Sequence, residues 1–233
     1  MTRTDVLALL EANRNERGIQ HWNKTIIETG GLQSFGIGLT QLRKIARKIG
    51  KDHGLAEQLW DTDNHDARII GLLIDDPKQL TREQAEKQVE GVGPGMLAHV
   101  FSSCDATLAK APFAFELARD WIRSNDTLRR RCGFGLIYEL SKKTKLKQLT
   151  DEFFTDCIRL IRENFNQVTV PEKMSMGTAL MGIGKRNKFL NTEALELARI
   201  ISPIDFNEGN GKCEPFDIVK HLTSQHLKDK LGI

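Results

Sequence analysis

Among the residues whose types could do chemistry, a single carboxylate is the most conspicuous. Asp105 is the only formally charged side chain between Glu90 and Lys110, within GVGPGMLAHVFSSCDATLA. Burying an unpaired charge is expensive, so a carboxylate in so apolar a segment has to be capped, paired or put to use. It can cap a helix beginning at Ala106, or pair with an arginine such as Arg131. It can instead lie in a pocket and stabilise the positive charge that develops when a glycosidic bond breaks. The second feature is the run Arg129-Arg130-Arg131. Three arginines in a first helical turn oppose the macrodipole, whose N-terminal end prefers anions. Asp120 and Asp126 offset part of that charge, and a phosphate can offset the rest. A solvated charged face is the alternative reading of the same three residues. Lys185-Arg186-Asn187-Lys188 follows Gly184 at an expected helix C-terminus, where cations are favoured in any case.

Other patterns exclude chemistries. Gly182-Ile183-Gly184-Lys185 resembles part of a phosphate loop but has no strand before it and no Ser or Thr after it. The loop Gly91 to Gly95 also lacks the strand a dinucleotide motif requires. Cys104, Cys132, Cys157 and Cys213 are widely spaced inside apolar helical patterns, with no CxxC pair, and read as reduced, buried thiols. His21 and His99 stand alone, so neither a metal site nor a cofactor is expected.

The elements that must position these residues are helical. Ala118 to Leu140 reads as the seam between two antiparallel helices, the first ending near Trp121 and Ile122. Ser124, Asn125 and Asp126 supply loop and cap oxygens. The second helix carries Cys132, Phe134, Leu136, Ile137, Tyr138 and Leu140 nearly all round its circumference, which predicts burial among neighbours. Upstream, Leu39, Leu42, Ile45, Ala46 and Ile49 mark an amphipathic helix whose polar face bears Arg43, Lys44, Arg47, Lys48 and Lys51. Helices are also predicted from Val6, around His21-Trp22 with a close at Gly30-Gly31, and over Leu55 to Trp60 and Asp66 to Leu73. Thr81 with Gln84 caps another. A long apolar stretch covers Met96 to Leu108, and Pro112 starts the helix that reaches Trp121. Further helices follow around Phe153 to Ile161, over Glu172 to Ile183 and over Thr192 to Ile200. Asn207 to Gly211 reads as a turn cluster and Pro215 to Leu222 as a last helix. No period-2 strand pairs are visible.

An approximate repeat links Leu55–Ile74 (LAEQLWDTDNHDARIIGLLI) with Leu117–Ile137 (LARDWIRSNDTLRRRCGFGLI), and Cys157–Gly184 fits a longer, weaker copy. Each of the first two has an apolar helix ending at Trp, a polar loop with Asn and Asp, then Arg before apolar and glycine positions. The fold expected is all-α, an α-solenoid or superhelix of HEAT-like helical repeats, as a single domain over residues 1–233. An irregular helical bundle is the alternative.

Composition sets the class. Hydrophobic residues make up 39% and charged residues 28%, which fits an ordered soluble chain. The net charge is only +3, so affinity for a polyanion must come from clustering of basic residues. The N-terminus carries acids and a short amphipathic helix, unlike a signal peptide, and no apolar run reaches the length of a membrane span. A cytoplasmic monomer without membrane contact is expected.

Four blocks in order carry a family resemblance: QLWDTDNHDARIIG (Gln58–Gly71), FSSCDATL (Phe101–Leu108), WIRSNDTLRRRCGF (Trp121–Phe134) and MGTALMGIGKRN (Met176–Asn187). With these the chain resembles the AlkD-like DNA alkylation repair family of HEAT-like repeat DNA glycosylases, over roughly Gly36 to Asn187. The tail KCEPFDIVKHL resembles a C-terminal segment of one bacterial branch. The resemblance implies excision of cationic N3- or N7-alkylated purines from double-stranded DNA by hydrolysis of the N-glycosidic bond. It implies that Asp105 is the catalytic carboxylate and that Arg131, with Arg129, Arg130, Lys185 and Arg186, contacts phosphates. The family's two pocket tryptophans fall on Phe101 and on Thr178, which is not aromatic. A non-catalytic scaffold that binds DNA structure or a protein partner is the other function consistent with that departure.

Overall fold

Polar residues at the helix starts decide where the chain turns helical. Thr2, Asp52, Asn64, Thr81, Asp126, Thr150, Asn187 and Asp217 each accept a bond from the backbone N–H three residues on, satisfying a donor that the helix itself leaves unpaired. The computed structural model describes residues 1–24, 31–93, 95–206 and 214–233. Two units form, Met1–Ala114 and Phe115–Ile233. The first holds α1 (Arg3–Ala12), α2 (Glu16–Lys24), α3 (Leu39–Ile49), α4 (His53–Trp60), α5 (His65–Ile74), α6 (Arg82–Val89) and α7 (Met96–Ser102). The rest are α8 (Ala114–Trp121), α9 (Thr127–Ser141), α10 (Asp151–Asn164), α11 (Val170–Gly184), α12 (Lys188–Ile201), α13 (Ile218–Leu222) and α14 (Gln225–Leu231). Among the described residues there is no strand, only the isolated bridges Gln33–Asn64 and Ile204–Phe216. The protein is all-α, as expected.

The repeat seen in the sequence has a physical basis. α5 starts from the cap Asn64 and α9 from the cap Asp126. Seven residues after each cap lies a glycine, Gly71 or Gly133, at the point where the helix meets its predecessor. A Cβ on Gly71 would stand 2.9 Å from the Ala56 carbonyl oxygen of α4, and one on Gly133 2.7 Å from the Ile122 nitrogen at the end of α8. Four residues after each cap lies an arginine that reaches back to the carbonyl two residues before the cap. Arg68 Nε donates to Thr62 O at 2.8 Å, and Arg130 Nη1 to Ser124 O at 3.0 Å. The two helix pairs are therefore built alike.

Of the apolar stretch Met96 to Leu108, α7 takes Met96–Ser102, and the Ser102 hydroxyl turns back to the Ala98 carbonyl at 2.8 Å. Two expectations are corrected. No helix begins at Ala106, so Asp105 is not a helix cap; only a 3-10 turn at Leu108–Lys110 follows. The last predicted helix starts at Ile218, and α14 follows where the sparse apolar residues Leu227 and Leu231 gave little periodic signal. The readings placed on Gly30, Pro94, Asn207–Gly211 and Cys213 lie outside the described residues.

Candidate nucleic-acid interface

α3 buries Leu42, Ile45 and Ala46 against its unit and leaves its basic residues on the other face. Arg43, between the buried Leu42 and Ile45, reaches across the unit. Arg43 Nη2 lies 2.7 Å from both the carbonyl oxygen and the Sγ of Cys104. That contact holds an unusual piece of backbone, since Cys104 and Asp105 both have positive φ, 57° and 70°. Two successive non-glycine residues in the left-handed region store strain of about 1–3 kcal/mol each and persist only when their surroundings fix them. The result is that Asp105, instead of being swallowed by an apolar helix, is exposed.

Asp105 lies on a cleft of about 310 Å³ bordered by Arg43, Arg47, Lys51, Cys104 and Lys110. Lys110 Nζ donates to the Asp105 carbonyl oxygen at 3.3 Å, and Lys51 lies 3.8 Å from Asp76. Four cations therefore border the same cleft as one exposed carboxylate. A cleft of this kind concentrates positive potential where a phosphate backbone can enter.

The other residues singled out from the sequence are distributed as follows. Phe101 shares the first unit with Asp105 but is only 2% exposed. Its ring lines a small interior space beside Leu72, Val100 and Leu108, not the Asp105 cleft. Arg129, Arg130, Arg131, Thr178, Lys185 and Arg186 belong to the second unit. Arg130 binds the buried Glu172 through Nε at 3.0 Å and Nη2 at 2.7 Å. Arg129 lies 3.8 Å from Asp126. Arg131 is half-buried, and that burial lowers the pKa of its guanidinium from the ordinary arginine value. The Thr178 hydroxyl donates to the Met174 carbonyl of its own helix at 2.7 Å. Arg186 Nη1 closes the end of α9 by donating to Ser141 O at 2.6 Å and Lys143 O at 2.8 Å, with the guanidinium 4.5 Å over the Phe154 ring. The contact that sequence reasoning missed is Arg43 on Cys104. Its only trace in the sequence is the basic face of α3, which says nothing about a partner 61 residues away.

Comparison with known proteins gives the family and the fold. A family model described as DNA alkylation repair enzyme matches residues 6–204. The chain belongs to the DNA alkylation repair enzyme family. An uncharacterized protein of Listeria monocytogenes is 24% identical over 202 residues, covering 85% of this chain and 86% of its own. One of Listeria innocua is 24% identical over 194 residues, covering 82% and 83%. A solved structure described as a new family of proteins related to the HEAT-like repeat DNA glycosylases, with affinity for branched DNA structures, aligns at a TM-score of 0.80. It is 24% identical and the alignment covers 100% of this chain and 97% of that one, so this family member has the HEAT-like helical-repeat fold.

Proposed function

We propose that this member of the DNA alkylation repair enzyme family binds double-stranded DNA through the Asp105 cleft and excises N3- or N7-alkylated purines there. The observation that carries the reading is the strained turn at Cys104–Asp105, held by Arg43, which sets an exposed carboxylate among Arg47, Lys51 and Lys110. An alkylated purine is already cationic, so the bond from C1′ to the base nitrogen breaks with its electron pair leaving on the base, which becomes neutral. Positive charge then rests on the deoxyribose C1′ and ring oxygen. The Asp105 carboxylate stabilises that charge until a water oxygen adds to C1′ and releases a proton. Arg47, Lys51 and Lys110 hold the flanking phosphates. Arg129 and Arg131 are further phosphate contacts, on a helix start that Arg130 fixes through Glu172 and Ser124.

The binding half of the reading is tested by the salt dependence of duplex affinity. Each phosphate contact contributes about one unit to the slope of log affinity against log salt, so Arg47→Gln with Lys51→Gln should flatten it by about two. An unchanged slope in that variant would remove the cleft from the binding surface.

A second reading, DNA binding without excision, is favoured by one specific observation. No aromatic ring borders the Asp105 cleft among the described residues, Phe101 being in the core and Thr178 bonded to its own helix. Rings that stack on a cation are worth on the order of 1 kcal/mol each, and this cleft would act without them. The structural relative described as having affinity for branched DNA structures suggests the substrate for that reading, a junction instead of a lesion.

A further inference from the structure

The second unit carries a separate basic cleft, where the ends of α9 and α11 meet α14. Gly182 allows the close approach beneath it: a Cβ there would stand 2.4 Å from Ser141 Oγ and 2.8 Å from the Tyr138 ring. The cleft has a volume of about 390 Å³, and Lys142, Lys185 and Lys230 border it together with Thr144. Lys142 spans the Tyr138 ring at 4.0 Å and pairs with Glu139 at 2.8 Å. Lys230 Nζ leans on the Lys185 carbonyl oxygen at 3.4 Å, so one residue's backbone anchors a second ammonium beside the first. Arg186 is committed to the carbonyls at the end of α9 and frames the wall. Asn187, which also borders the cleft, donates two bonds to the Asp151 carboxylate.

Lys185 is the unusual member. It is half-buried, and among the described residues no carboxylate pairs with its ammonium. Burial and the like charges of Lys230 and Lys142 both push its pKa below the ordinary lysine range. A lysine on a solvated face would turn away from two other cations. Glu139 offsets Lys142, which leaves Lys185 and Lys230 as the excess positive charge of the concave space; that is unfavourable until an anion enters, and one of high charge density relieves it best. A backbone diester offers one negative charge spread over two free oxygens, whereas a phosphate monoester offers up to two charges over three.

We propose that this cleft is a binding site for a terminal phosphate, held by Lys185, Lys230 and Lys142 with the Thr144 hydroxyl as a further donor. The chemistry is that of a phosphate monoester, whether at the 5′ end of a DNA strand or on a free nucleotide; the first source rests on the DNA-binding reading above.

Two measurements on the full chain test it. The first compares affinity for two duplexes that differ only in a 5′-phosphate or 5′-hydroxyl on a recessed end. Charge-assisted bonds from lysines predict a preference of about tenfold for the phosphate. In Lys185→Gln, and separately in Lys230→Gln, that ratio should fall to near one. The second follows thermal unfolding with thymidine 5′-monophosphate, thymidine and dimethyl phosphate. Stabilisation by the monophosphate alone, lost in Lys185→Gln, is expected. Preference for the phosphorylated duplex assigns the DNA end as the source. Stabilisation by the mononucleotide without that preference assigns a free nucleotide and supports the site even if the chain binds no DNA. Equal affinity for both duplexes together with no stabilisation by the monophosphate would overturn the proposal.

Discussion

Removing the Arg130 guanidinium should destabilise the second unit far more than loss of a surface cation would. Glu172 is 1% exposed and belongs to the capping box that starts α11, accepting from the backbone N–H of Thr169 at 3.1 Å and its hydroxyl at 2.9 Å. Its Oε1 also takes two bonds from Arg130, whose side chain is 21% exposed. Arg130→Met leaves a carboxylate buried with only the Thr169 donors. Breaking a buried pair from one side costs about 3–5 kcal/mol. The Thr169 bonds survive, which points to the lower end, about 3 kcal/mol, and to a midpoint lower by roughly 6–12 °C for a chain of this size. Glu172→Gln alone removes the charge but keeps the shape. In the double variant neither half of the pair is left charged, so the combined loss should be smaller than the sum by about 2 kcal/mol. Urea unfolding followed by circular dichroism measures all three variants. Strict additivity, or an Arg130→Met loss below about 0.5 kcal/mol, would refute the pairing of Arg130 with Glu172 as a support of the second unit.

Other consequences are equally direct. Gly71→Ala and Gly133→Ala should each lower stability by about 1–3 kcal/mol, because the new methyl meets the backbone of the preceding helix. Gly54→Ala, where the nearest atom is 3.9 Å away, should raise it by about 0.5 kcal/mol; thermal melts of the three variants would contradict the shared repeat geometry if all behaved alike. Burial and Arg68 lower the His65 pKa to about 4 from 6.5. Between those values the unfolded chain takes up a proton that the folded one refuses, so stability falls as pH drops through that window, by up to about 3 kcal/mol. Asp66 and Asp75, whose pKa values burial raises, act in the opposite direction. The difference between wild type and His65→Gln should therefore carry the effect, and parallel stability curves from pH 7 to pH 4 would exclude it.

How far the sequence foretold this molecule depends on the range of the interaction concerned. Helices with strong periodicity, such as α3 and α9, were legible because their apolar spacing and caps are local. Gly71 and Gly133 were visible as positions in a repeat for the same reason. The break after α7 was not, because FSSCDATL contains neither glycine nor proline. What turns the chain there is Arg43, brought from a distant helix onto the Cys104 carbonyl. Asp105 was legible as an isolated carboxylate in an apolar segment, but its exposure follows from that turn. Arg186 was legible as a cation at a helix end, although the carbonyls it closes belong to α9 and not to the helix preceding it in the chain. Pairings such as Arg130 with Glu172, 42 residues apart, leave no periodic trace.

The central claim concerns Asp105, and single-turnover release of 7-methylguanine from a methylated duplex tests it most directly. Wild type and Asp105→Asn would be compared at enzyme excess, with duplex affinity measured on the same preparations. Release by the wild type that drops at least about a hundredfold in Asp105→Asn, with affinity retained, is the result expected for a carboxylate that stabilises a developing cation. Tight, salt-sensitive binding with no release from the wild type would contradict excision at this cleft and leave DNA binding as its function.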